Sequence, residues 1–190
     1  PPDAPAKVAE AFRQLRTGRP RPVALEMPLD QLAEACSVDL LDAATDHARP
    51  PVDEDALAKA AKLLAGAKAP MIFVGSGAVD SGEAIQALAE MLQAPVIANR
   101  TGRGIVSHRH YLSMMHLEGH RLWADADVVL AIGSRLQPAR MNWGTDDNLK
   151  IIHVDIDPVE IKRIAAPDVA LVGDAQDIVP ALVDGVGKQA

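Results

Sequence analysis

The residues whose types and spacing could hold a phosphate or a ribose are Gly75-Ser76-Gly77, Gly133-Ser134-Arg135, Asp155-Ile156-Asp157 and Gly173-Asp174. Glycines let a backbone approach a diphosphate, and the start of a following helix offers free N–H groups. Arg135 presents a planar fork to an anion. A carboxylate at a strand end, such as Asp155 or Asp157, accepts from ribose hydroxyls. Each run also has a purely structural reading. Gly75-x-Gly77 is equally a tight strand-to-helix turn, because Asp80 stands where a dinucleotide fingerprint has its third glycine. Asp157 before Pro158 is a helix cap, and Gly173-Asp174 repeats that pattern.

Other chemistries have less support. Asn99-Arg100-Thr101-Gly102-Arg103-Gly104 is either a second phosphate loop or a solvated one. The histidines 108, 110, 116 and 120 lack the carboxylate and thiolate company of a zinc centre, and Glu118 rather than residue 117 lies between the last two. No metal ligands are expected. Cys36 is the single cysteine, and no Ser/His/Asp or Cys/His relay is evident, so no catalytic residue is assigned.

These runs all follow apolar segments. Met71–Val74, Pro95–Ala98, Val128–Ile132, Lys150–Ile156 and Ala170–Val172 read as strands that are apolar without alternation. Helical patterns separate them at 55–66, 80–93, 119–126 and 159–164, and another follows Asp174, where Pro180 should kink or limit it. Asp80 and Glu83 have capping-box spacing for the second of these. Loops are expected at 99–113 and 133–149. Continuous apolar strands separated by helices indicate a parallel sheet buried on both faces, a three-layer α/β/α domain over 55–190. Right-handed crossovers bring the loops after each strand to one edge, where such sheets bind ligands. Upstream, 6–17 reads as a helix, 22–28 as a short strand and 29–54 as a linker.

Composition bounds what the chain can be. With 190 residues, 48% hydrophobic and 24% charged, it is a globular chain with a core of its own. A net charge of −7 and 3% aromatic residues argue against a nucleic-acid partner. No apolar run approaches the roughly 20 residues of a membrane helix. One cysteine and no signal peptide fit the cytoplasm. The first residue is Pro1 rather than Met, and a piece of a longer protein is expected.

The order of motifs resembles a known family. Ala69-Pro70-Met71-Ile72-Phe73-Val74-Gly75-Ser76-Gly77, Leu92-Gln93-Ala94-Pro95-Val96, Thr101-Gly102-Arg103-Gly104, the run 126–136, the run 150–161 and Val172-Gly173-Asp174-Ala175 are similar to the central domain of thiamine-diphosphate-dependent enzymes of the acetolactate synthase type. The resemblance implies a six-stranded, Rossmann-like parallel sheet that binds FAD or ADP in some members and nothing in others. It implies cofactor contacts at Gly75, Gly77, Gly133, Arg135, Asp155, Ile156, Gly173 and Asp174. The synthase pattern has Phe-Asp-Asp after the arginine, where this chain has Leu136-Gln137-Pro138. Residues 19–30 resemble the end of that family's preceding pyrimidine-binding domain, which makes 1–28 the tail of that domain.

The Gly-Asp-Gly and asparagine pair that hold magnesium and thiamine diphosphate in the family do not occur in this sequence. The resemblance therefore implies a domain that is not catalytic alone. Its partners would be the remaining domains of a parent carboligase or decarboxylase, assembled as a homo-oligomer, a dimer or tetramer. Two rival readings stay open: a stand-alone nucleotide-binding module, and a structural domain without a ligand.

Overall fold

In a computed structural model, residues 2–42 and 49–189 are described. The chain separates into two compact units, Pro1–Arg49 and Pro50–Ala190, each treated by itself below.

In the first unit, α1 spans Ala4–Arg16 and a single helical turn, α2, spans Leu29–Leu32. Helix α1 ends before Gly18, whose φ of +64° favours glycine. Its apolar residues Val8, Phe12 and Leu15 are all exposed, and Ala11 is its buried residue. Residues 22–28, read as a strand between prolines, pair with nothing among the described residues. Pro22 and Pro28 bound the run and leave the donors of residues 23–27 intact, but no strand among the described residues lies beside it to pair with. The expected linker, 29–54, contains α2, and its residues 43–48 lie outside the described ones.

The second unit is the three-layer sheet. Helix α3 (Glu54–Ala65) precedes β1 (Pro70–Val74), and α4 (Gly82–Leu92) precedes β2 (Val96–Ala98). Then come β3 (Ser113–Met114), α5 (His116–Leu122), β4 (Val128–Ile132) and α6 (Gln137–Asn142). The chain finishes with β5 (Lys150–Asp155), α7 (Pro158–Lys162), β6 (Val169–Val172) and α8 (Ala175–Gly187). All six strands are parallel, in the order β3-β2-β1-β4-β5-β6. The order reverses direction at β1, the topology that opens a crevice at the carboxyl edge.

Alternation of side chains divides the core in two. Ile72, Val74, Leu130, Ile132, Ile152, Val154 and Leu171 face α3, α4 and α8, whose Leu64, Ile85, Leu88, Ile178 and Leu182 complete an aliphatic layer. Met71, Phe73, Ile97, Val129, Ala131 and Ile151 face the other way, against Trp123, Leu136, Ala139 and Leu149. Two aspartates tie down the strand starts at the amino edge. Asp127 accepts from the N–H groups of Lys68 and Ala69, and Asp168 from that of Ile151.

Several elements differ from expectation. The loop 99–113 ends in β3, which is too short to carry a periodic signal. The loop 133–149 contains α6, where Pro138 stands in the first turn. Helix α4 does not begin at Asp80: a 3-10 turn over Ser76–Ser81 comes first, so the Asp80/Glu83 capping box does not form. Helix α5 starts at His116, earlier than Gly119, and Trp123–Asp125 continue it as a 3-10 turn. Pro180 does not end α8, which runs unbroken to Gly187.

Candidate functional site

The strand register assembles the edge. Val74 pairs with Ile132, Ile132 with Val154, and Asp155 with Val172. The residues that follow, Gly75, Gly133 and Gly173, therefore emerge beside one another and beside Asp155. The Gly75 N–H donates to Ile132 O at 3.0 Å, the Gly77 N–H to Gly133 O at 3.2 Å, and the Gly133 N–H to Val154 O at 2.9 Å. The Gly173 N–H donates to Asp155 O at 3.0 Å.

The three glycines of β1 and β4 exist for one another. Gly133 has φ +54°, and a Cβ on it would lie 2.4 Å from the Gly77 backbone. A Cβ on Gly75 would lie 2.2 Å from Gly133 O. Only glycine allows the two loops to cross at this distance. The close approach expected at these positions is thus loop against loop, and their N–H groups are engaged within the sheet edge.

Two further side chains fix the crossing. Asn99 donates from Nδ2 to Ser134 Oγ at 3.1 Å, while its Oδ1 accepts from the N–H groups of Thr101 and Gly102. The Asn99 loop is therefore a turn locked by its own side chain. Ser134 is buried, and Leu136 after it is buried with φ +49°, a conformation uncommon for leucine. Arg135 stands between these two anchored residues.

Arg135 is a half-exposed cation of the edge. Its Nε donates to Glu160 Oε2 at 2.6 Å, with the arginine side chain 48% exposed and the glutamate 2%. Glu160 lies in the first turn of α7, and its Oε1 also accepts from Arg163 Nε at 3.0 Å. The Arg163 and Arg135 guanidiniums hold the Glu160 carboxyl down to about 2, against the opposing effect of burial. Asp157, the N-cap of the same helix, accepts from the Val159 N–H. Asp155 accepts from the Asp157 N–H, and Asp174 caps α8 through the Gln176 N–H. Ile156 is half-buried beside them. The carboxylates thus act as caps, whatever else they meet.

Other groups sort as follows. His153 on β5 is buried, its Nε2 has no hydrogen-bond partner, and burial pushes its pKa below the usual imidazole value. His116 and His120 lie against the Trp143 ring, at 4.6 and 5.1 Å between centroids, and Trp143 in turn meets Trp123 and Phe73. His110 bonds Glu90 at 2.9 Å. Among the described residues no three His, Cys, Asp or Glu side chains converge as metal ligands. An open groove of 1070 Å³ lies between the start of α4 and residues 104–109, lined by Asp80, Ser81, His108, Arg109 and Gln176 among others. None of the eight residues expected to hold a cofactor lines it.

Sequence reasoning placed Asn99 and Ser134 in strand-end loops without pairing them, and it missed Glu160 as the partner of Arg135. Glu160 had a signal, being an acid one turn after Asp157-Pro158, but its partner is 25 residues away in sequence.

A six-stranded parallel sheet with helices on both faces and its strand-end loops gathered along one edge is a Rossmann-like domain. The chain belongs to the thiamine pyrophosphate enzymes, as their central domain: the family's model matches residues 57–182. It is 35% identical to the acetolactate synthase large subunit of Corynebacterium glutamicum, over 97% of this chain and 32% of that one. To the acetolactate synthase isozyme 1 large subunit of Escherichia coli K12 it is 29% identical, over 98% of this chain and 35% of that one. To the glyoxylate carboligase of Escherichia coli O157:H7 it is 30% identical, over 95% and 32%. The chain thus spans about a third of the length of these relatives. A crystal structure from Mycobacterium smegmatis, described as that of a thiamin diphosphate-dependent enzyme, superimposes with a TM-score of 0.82 at 21% identity, over 97% of this chain and 38% of that one, and shares the fold.

Proposed function

We propose that this chain is the central, non-catalytic domain of a thiamine-diphosphate- and magnesium-dependent carboligase or decarboxylase, and that its carboxyl edge receives the phosphates of FAD or ADP. The family match over 57–182 supports the first part. The relatives named above carry different activities in their names, and no single substrate is carried over from them. Thiamine diphosphate and magnesium would be held outside this chain, which has neither the Gly-Asp-Gly motif nor a convergent ligand set among the described residues. The exposed apolar residues of α1 support reading 1–28 as the end of a preceding pyrimidine-binding domain, 29–54 as linker and 55–190 as the central domain.

The observation that carries the nucleotide reading is Arg135. It is half exposed at the end of β4 and fixed through Nε, and no other group among the described residues engages its terminal nitrogens. The fit is to an anion held by a side chain, with Asp155, Ile156 and Asp174 within the same edge. Gly75, Gly77, Gly133 and Gly173 contribute by letting the loops close rather than by free N–H groups. When bound, FAD would offer redox chemistry and ADP none. This chain's residues would only bind and orient either group.

The test is calorimetric titration of ADP and of FAD into the chain, with thermal unfolding in parallel. A ligand that binds the native state alone raises the midpoint by mass action. Saturable binding of either, weakened but still measurable in Arg135→Ala, is the expected result. No binding of either would leave a structural domain. The stand-alone module is not favoured, because the match is to a central domain of longer proteins.

A further inference from the structure

We propose that Glu160 is a positioning residue: its buried carboxylate fixes the guanidinium of Arg135 so that the two terminal nitrogens face outward from the carboxyl edge as a preformed anion fork. The backbone around Arg135 is already determined, with Gly133 and Leu136 in left-handed conformations and Ser134 and Leu136 buried. What is left to set is the side chain, and an arginine that is 48% exposed would otherwise sample many rotamers. The Nε–Oε2 bond of 2.6 Å removes that freedom while occupying one of five donors. Glu160 can do this because it is itself immobile, 3% exposed and bonded through its other oxygen to Arg163. An anion arriving at Arg135 then meets a donor pair whose ordering cost is already met, which is how preorganisation raises affinity. Arg163 supplies a second positive charge, so Glu160 does not cancel the field of Arg135. The ligand class is a phosphate or diphosphate group; its attachment to a nucleotide rests on the reading above.

Two readouts separate the two ideas. The first needs no ligand: ¹⁵N relaxation and solvent exchange of the Arg135 Nε–H in the full 190-residue chain. An ordered, slowly exchanging signal that becomes mobile in Glu160→Asp is expected. Aspartate keeps the charge and withdraws the carboxylate by one methylene, so this variant tests reach with the charge unchanged. The second readout is the Kd for ADP, for inorganic diphosphate and for adenosine. Glu160→Asp should weaken ADP and diphosphate about tenfold and leave adenosine unchanged. In the Arg135→Ala background the same substitution should change nothing further, since Glu160 acts through Arg135. An Arg135 Nε–H that is mobile in the unaltered chain overturns the proposal, as does an additive loss in the double variant. Diphosphate bound without ADP discards the nucleotide and keeps the fork. An ordered Nε–H that Glu160→Asp releases, with neither diphosphate nor ADP bound, overturns the anion fork.

Discussion

The two faces of the sheet are built differently. The face toward α3, α4 and α8 is an unbroken aliphatic layer against long helices. The face toward α5, α6 and α7 has a smaller cluster, covered by short helices and closed by Phe73, Trp123 and Trp143. Strand alternation puts His153 and Asp155 on the second face as well, and α7 brings Glu160 to its margin. One face therefore supplies cohesion, and the thinner one carries nearly every buried group that can change charge. A sheet covered equally on both sides would leave no room for an Arg135–Glu160 pair at its end.

This difference can be broken experimentally. Leu130→Ala, in the fully buried aliphatic layer, should cost about 3–5 kcal/mol in urea unfolding. Met71→Ala on the opposite face should cost less, about 2–3 kcal/mol, because thinner cover lets the site relax. Equal losses would mean that the faces differ in composition only. Trp143→Ala, at a half-buried ring, should cost about 1–2 kcal/mol and release His116 and His120 from their ring contacts, visible as shifted imidazole resonances. The smallest effect is on pH dependence. His153 has its folded pKa below the unfolded value of 6.5, so the unfolded chain binds the proton first as pH falls. Stability is then full above about 6.5 and declines below it. His153→Gln should flatten that decline in unfolding curves between pH 7.5 and 5.5, whereas Leu130→Ala should shift the curve without changing its slope.

What the sequence made legible follows the same division. Five of the six strands, or their cores, were readable because burial on both faces leaves few polar interruptions in their apolar runs. Ser113–Met114 could not be read, since two residues carry no period. Residues 22–28 have a strand's apolar residues, but a strand forms only where another lies beside it, and local sequence does not show that. The edge itself was legible as a location, and Gly133, Arg135 and Asp155 do meet there. Its internal bonds were not. Asn99 with Ser134 and Arg135 with Glu160 are pairings across 35 and 25 residues, created by the crossovers and invisible to local spacing. Glycines that suggested an open cradle instead close two loops on one another, a difference that only the backbone distances reveal.

The aromatic cluster has an optical consequence. Both tryptophans of the chain, Trp123 and Trp143, lie on the second face with ring centroids 5.5 Å apart and nearly perpendicular. Emission and near-ultraviolet dichroism therefore watch a single patch of the molecule. A shift of Trp143 against His116, His120 or Trp123 would change the signal promptly, while loosening of the aliphatic layer would pass unseen until the whole sheet gave way. Amide exchange is the natural complement, because it reports from the half that light does not reach.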